Sequence, residues 1–290
     1  MLSIFRSTAL VLMLCCGGCS AADLVNAATS RSGYEVQHQA YAPGPRHGLD
    51  LYVPDTVAPD APVVVFIYGG GWVSGDKQTY LFAGQAFASR GYITAVPDYR
   101  VYPEVRFPDF MDDAAEAVAW VAQHEKTPDG KPRPIILVGH SAGAQIAMLL
   151  ALDKHYLARQ ETPVCNTVMG VVGMAGPYDF LPLKQERYKK VFPEKTRPAS
   201  QAIAFASRDE PPVLLQAGTG DTTVDPGNSR RLADRIREKG GRVELKEYKG
   251  VGHAELVGTL AAPLRHVAPT LDDIDAFIKA QAGKSAPFCR

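Results

Sequence analysis

The chain has 290 residues, 46% of them hydrophobic and 21% charged. That composition is enough for a sizeable core and excludes the disordered class. Basic and acidic residues number 31 each, and this zero balance speaks against nucleic acid, whose binders select a basic surface.

In chain order, the first stretch is "MLSIFRSTALVLMLCCGGCSAAD". Its apolar run from Thr8 to Leu14 follows Arg6. The run is too short to cross a bilayer, which takes about 20 apolar residues. It fits the h-region of a secretory signal. Gly17 and Gly18 then precede Cys19, which resembles a bacterial lipobox, whose cysteine becomes the lipidated first residue. The departure is Cys16, where that pattern has Leu. Ser20 after the cysteine, rather than Asp, resembles an outer-membrane destination in a Gram-negative cell. The expectation is a lipoprotein-type signal over 1–18 and an exported protein anchored at the outer membrane or periplasmic face. Cleaved soluble secretion and a retained anchor are the alternatives. Removal of Cys15 and Cys16 with acylation of Cys19 leaves Cys165 and Cys289, an even pair in an oxidising compartment. They are a candidate disulfide, the alternative being two unrelated thiols.

Residues 19–33 read as a linker, small and polar with no period. From there one domain is expected over 34–282, with a tail over 283–290. "YEVQHQAY" and "LDLYVP" predict a hairpin-like strand pair around "APGPRHG". Continuous apolar runs at 62–69, 91–99, 133–140, 168–176 and 211–218 predict strands buried on both faces. The more alternating run at 241–250 suits a sheet edge. Helical spacing marks 112–124, 142–155, 228–240 and 271–281. Strands alternating with such helices imply an α/β fold, a mostly parallel sheet with helices on both faces. Residues 178–210, rich in Lys, Arg and Pro, predict a small insertion over the strands' C-terminal ends, where ligands bind in such folds.

The chemistry centres on "VGHSAGAQ". Gly139-His140-Ser141-Ala142-Gly143 is a G-x-S-x-G between a buried strand and a helix, the setting of a nucleophile elbow. The alternative reading is a serine N-cap between close-packed glycines. A serine nucleophile needs a base and a group to orient it. Among seven histidines, His253 follows the last strand in a glycine-rich loop. His140 is expected to point its side chain elsewhere. For the acid, Asp221 comes first off the strand ending at 218, whereas Asp225 before Pro226 suits a turn.

"FIYGGGWVSGDK" must then supply the oxyanion donors. It is not a phosphate loop. Gly70 and Gly75 have the Walker spacing, but Asp76 intervenes before Lys77 and Gln78 follows it. Backbone N–H groups of a glycine loop after the first buried strand remain as the reading.

Together these residues resemble the α/β-hydrolase fold. More narrowly they resemble the carboxylesterases with an HGGGW-type loop, which include hormone-sensitive-lipase-like, feruloyl-esterase-like and kynurenine-formamidase-like enzymes. "DYRVYPEVRFPDFMDDAAEAVAWV" is similar to the corresponding region of that group and of plant prenylcysteine methylesterases. The resemblance implies Ser141 as nucleophile, Asp221 as acid and His253 as base. It implies an oxyanion hole from the N–H groups of Gly70, Gly71 and Ala142, and Trp72 on the substrate pocket. Tyr68 departs from the family, which has His there. Its role is open between bracing the loop and contacting substrate. Asp98 and Arg100 are expected to be structural, paired at the sheet's end, and Asp109 or Asp113 to support the loops. The function so implied is a secreted serine hydrolase cleaving small-molecule carboxylic esters, with no metal, organic cofactor or nucleic-acid partner and an open oligomeric state. Amide cleavage and a non-catalytic binding module of the same fold are the alternatives.

Overall fold

The computed structural model describes residues 21–281. Its strands are β1 (Tyr34–Ala40), β2 (Gly48–Pro54), β3 (Val63–Ile67), β4 (Thr94–Pro97), β5 (Ile135–His140), β6 (Val168–Met174), β7 (Val213–Gly218) and β8 (Val243–Tyr248). They form one sheet in the order β1-β2-β4-β3-β5-β6-β7-β8. β1 and β2 pair antiparallel, as does β2 with β4, and the remaining neighbours are parallel. Every residue of β3, β4, β5 and β7 is buried. That explains their predominantly apolar runs, since neither face meets water. β1 and β8 lie at the sheet's ends and carry mixed burial.

The helices are α1 (Ala21–Ala27), α2 (Leu81–Ala88), α3 (Asp109–His124), α4 (Ala142–Leu152), α5 (His155–Arg159), α6 (Val164–Thr167), α7 (Glu186–Val191), α8 (Gly227–Glu238), α9 (His253–Gly258) and α10 (Thr270–Gln281). α4 packs on β3, β5 and β6, α2 on β2 and β4, α8 on β7 and β8, and α10 on β6 and β7. Residues 178–210 hold α7 and two 3-10 turns, Arg197–Ser200 and Ala202–Phe205.

Helices α1 and α2 depart from the sequence reading in ways that bear on the site. α2 shows no apolar stripe because Phe82 through Ala88 are all buried, so it has no polar face to give a period. The stretch read as a linker contains α1. Val25 packs against the core, and Asn26 adds a polar dock: its amide donates to the carbonyls of Gln78 and Thr79 at 3.1 and 3.0 Å, and its oxygen accepts from the Phe82 N–H at 3.1 Å. One side chain thereby ties α1 to the start of α2. Hydrophobic periodicity carries no trace of such a contact. Cys19 lies outside the described residues. Cys165 is disulfide-bonded, and Cys289 also lies outside the described residues.

Because β3, β5, β7 and β8 run parallel, the segments that follow them emerge on one edge of the sheet. Those segments carry the glycine loop, Ser141, Asp221 and His253.

Candidate active site

Ser141 sits at the turn from β5 into α4 with φ 56° and ψ −122°, a left-handed conformation for a residue with a Cβ. The turn is held by close backbone packing. A methyl group on Gly139 would meet the Gly143 carbonyl oxygen at 2.2 Å, and one on Gly143 would meet the Ile67 oxygen at 2.1 Å. The Ser141 N–H donates to the Met174 carbonyl at 2.9 Å. The glycines are therefore required by contact, and the serine is pushed out of the strand end into the cavity.

His253 is the first residue of α9, not a loop residue. Its Nε2 lies 2.8 Å from Ser141 Oγ and its Nδ1 2.7 Å from Asp221 Oδ2. The Asp221 side chain is buried. Its Oδ1 accepts from the Thr223 and Val224 N–H groups at 2.8 and 2.9 Å, which fixes the carboxylate and leaves Oδ2 to the imidazole. Asp225 accepts from the Gly227 N–H at 2.9 Å at the entrance of α8, as a turn residue does.

The glycine loop follows β3. Gly70 and Gly71 have φ of 135° and 61°, and a methyl on Gly70 would meet the Ser74 oxygen at 2.0 Å. Gly70, Gly71 and Ala142 line the same cavity as Ser141. Among the described residues, no protein acceptor takes their N–H groups. Trp72, with φ 62°, stands on the wall and donates from Nε1 to buried Gln145 at 3.0 Å. Its ring meets Phe192, Tyr188 and Phe180 at 4.7, 5.7 and 5.8 Å.

Tyr68 is not a substrate contact. It is fully buried beneath the loop, away from the cavity lining. Its ring stacks between Tyr80 and Tyr99 at 5.5 and 4.8 Å. Its hydroxyl donates to Asp98 at 2.8 Å and accepts from Arg46 at 3.0 Å, while Arg46 also donates to the Gly75 carbonyl at 2.7 Å. Asp98 in turn accepts from the Lys77 N–H at 2.8 Å, and Tyr99 donates to the Tyr68 carbonyl at 2.8 Å. Both ends of the loop are thus pinned to one buried cluster. Burial, with the neighbouring Tyr99 and Asp98, pushes the Tyr68 hydroxyl far up, so it stays a donor. Burial also raises the Asp98 carboxyl, against the Tyr68 hydroxyl and the Lys77 N–H that favour its charge. Asp98 and Arg100 do not pair with each other. Arg100 forks onto Asp113 at 2.6 and 2.9 Å, and Asp113 also accepts from the Arg100 N–H.

His140 does not point away from the site. It lines the cavity, its ring lies 4.8 Å from that of His253, and its Nε2 donates to the His253 carbonyl at 3.2 Å. Burial first, then the neighbouring His253, pushes its pKa down to about 3. His140 therefore stays neutral, and a neutral ring adds no positive charge beside His253. Its Nδ1 has no partner among the described residues.

The cavity measures about 930 Å³. That is at the upper end for small-ligand sites. Its lining is chiefly apolar and includes Val25, Trp72, Phe180, Leu183, Tyr188 and Val257. Val25 comes from α1 and the middle four from the glycine loop and the 178–210 segment, so the supposed linker is a wall of the site. Among the described residues no group of three His, Cys, Asp or Glu could hold a metal ion, and no helix is long and apolar enough to cross a membrane.

Comparison with known proteins agrees with this architecture. The isoprenylcysteine alpha-carbonyl methylesterase of Arabidopsis thaliana is 30% identical over 83% of this chain and 61% of its own length. The chain spans about three fifths of the length of the plant relatives it matches. The kynurenine formamidase of Drosophila melanogaster is 23% identical, covering 85% of this chain and 84% of its own. The apo form of Thermogutta terrifontis esterase 2 superposes with a TM-score of 0.70 and 25% identity, over 87% of this chain and 96% of that one. The BD-FAE family matches residues 49–236, and the chain belongs to this family of the α/β-hydrolase fold.

Proposed function

We propose that this protein is a serine hydrolase that cleaves carboxylic esters through an acyl-enzyme. The observation that carries the reading is the continuous line from Asp221 through His253 to Ser141 at 2.7 and 2.8 Å, opening into a cavity beside unclaimed N–H groups. Ser141 Oγ attacks the ester carbonyl while His253 Nε2 takes its proton. Asp221 holds the imidazole with Nδ1–H toward it and stabilises the cation that forms. The N–H groups of Gly70, Gly71 and Ala142 receive the negative oxygen of the tetrahedral intermediate. His253 then protonates the departing alcohol. Water, deprotonated by the same nitrogen, releases the acid and restores Ser141. The apolar lining and the size of the cavity favour an ester with a large apolar part.

The test is a panel of p-nitrophenyl esters of rising acyl length. Turnover is expected, and Ser141→Ala is expected to lower it by at least about 10³-fold. Equal rates for the two proteins would end the catalytic reading. Formamide and dipeptide substrates belong in the same panel, because the Drosophila formamidase relative favours amide cleavage as the second reading. Cys19 is proposed as the lipidated residue of an exported protein. Labelled palmitate should enter the wild type and not Cys19→Ser.

A further inference from the structure

The 178–210 segment carries a charge that ester cleavage does not use. Between 184 and 197 stand six Lys or Arg and two Glu, in a chain whose total charge is zero. Lys184, Arg187, Lys189, Lys190 and Lys195 are exposed. Two of them, Lys184 and Arg187, line the cavity, so the basic stretch borders its mouth. The carboxylates on the same lining are engaged locally. Asp225 accepts from the Gly227 N–H and pairs with Arg231, and Glu255 accepts from the Gly252 N–H.

α1 forms another part of that lining through Ala21, Ala22 and Val25. Leu24 on the same helix is 66% exposed, a large apolar side chain offered to solvent. Ala21 is two residues from Cys19 in the chain. An acyl chain on Cys19 would enter a bilayer beside the cavity. Anchor, exposed leucine and basic stretch would then meet one surface, and basic side chains select anionic lipid there.

We propose that the mouth of the cavity lies against an anionic lipid surface and that its substrates are esters partitioned into that surface. The proposal rests on the ester reading of Ser141 and on lipidation of Cys19. It adds the direction of the mouth, the lipid charge and the route of entry.

The test uses residues 19–290 with Cys19→Ser, so that surface attraction acts without the acyl chain and every described residue is kept. Binding is measured by sedimentation with phosphatidylglycerol–phosphatidylcholine vesicles and with phosphatidylcholine vesicles. Preference for the anionic vesicles, reversed by salt, is expected. Lys189→Glu/Lys190→Glu/Lys195→Glu alters none of the cavity lining. It should weaken anionic-vesicle binding by at least about tenfold and leave turnover of a short soluble ester unchanged. Turnover of a long-chain ester dissolved in the anionic vesicles should fall with the binding. Equal binding to both vesicles, no effect of the charge reversal, or binding to soluble polyglutamate without binding to vesicles would overturn the proposal. A loss of soluble-ester turnover in the parent protein would instead strike the ester reading, and absence of palmitate on Cys19 the anchor. The vesicle comparison reads the surface independently of both.

Discussion

Two regions face each other across the cavity and are held by different physics. The chemical side, at the ends of β3 and β5, is fixed by backbone against backbone. A methyl group on Gly70, Gly139 or Gly143 would approach a carbonyl oxygen to between 2.0 and 2.2 Å. The facing wall, from α1 and residues 178–210, is built from short helices, 3-10 turns and partly exposed side chains. The first region tolerates almost no change in shape. The second should accept changes of its exposed side chains without moving Ser141 or His253.

The largest effect should come from breaking the tight side. Gly139→Ala forces a methyl group onto the Gly143 carbonyl and should cost about 1–3 kcal/mol or more. A fall of several degrees in Tm with loss of ester turnover is expected. An unchanged melting curve would show that the contact can relax.

The two sides should also respond oppositely to pH. His140, held neutral with a pKa near 3 against an ordinary 6.5, binds fewer protons when folded than when unfolded between those values. Its contribution is complete above 6.5 and is lost as pH falls below it. Glu210, at the end of the 178–210 segment, is pushed up to about 7 by burial, against an ordinary 4.5. It binds more protons when folded, so stability drains as pH rises from 4.5 to 7. Melting curves between pH 5 and 8 should show Glu210→Gln gaining on wild type as pH rises from 5 to 7 and holding that gain above it. His140→Gln should lose less than wild type as pH falls from 6.5 to 5. Parallel curves for wild type and both variants would remove this contrast.

A smaller effect is expected beneath the glycine loop. Tyr68→Phe takes the hydroxyl from Asp98 and Arg46, at a cost of about 1–3 kcal/mol. Because Tyr68 braces the loop and does not touch the cavity, kcat should fall while KM holds. A raised KM with unchanged kcat would return Tyr68 to the substrate. The smallest effect belongs to the wall. Leu183→Ala should lower kcat/KM for long acyl esters by about tenfold and spare the acetate ester. Equal losses for both esters would mean that the wall also positions the chemistry.

Much of the sheet could be read from the chain. Val63–Ile67 is apolar throughout, and Ile135–His140 and Val213–Gly218 are so apart from His140 and Gln216, because both faces are covered, and that leaves a plain signal. Ser141, Asp221 and His253 stood out as candidates because each lies in the segment that follows a parallel strand, at the one end of the sheet where such strands deliver their loops. α1 and α2 were not. α1 is docked by the Asn26 amide, and α2 is buried all round, so neither carries an apolar period. The side-chain direction of His140 differs from the sequence expectation, and that of Tyr68 stayed open, for a related reason. Neighbours in sequence do not say which way a ring turns at a strand end. The partners that turn them, the His253 carbonyl, Asp98 and Arg46, lie far along the chain.

The sequence by itself determined the parallel sheet, the elbow around Ser141 and the glycine loop after Phe66-Ile67-Tyr68. Patterns of burial and the need for small residues at tight turns are local and survive in one dimension. Only the tertiary structure decided that Tyr68 braces the loop, that His140 rests against His253 and that α1 closes the cavity. Each of these is a polar or ring contact between distant segments, selected by the packing of the whole sheet edge rather than by any run of neighbouring residues.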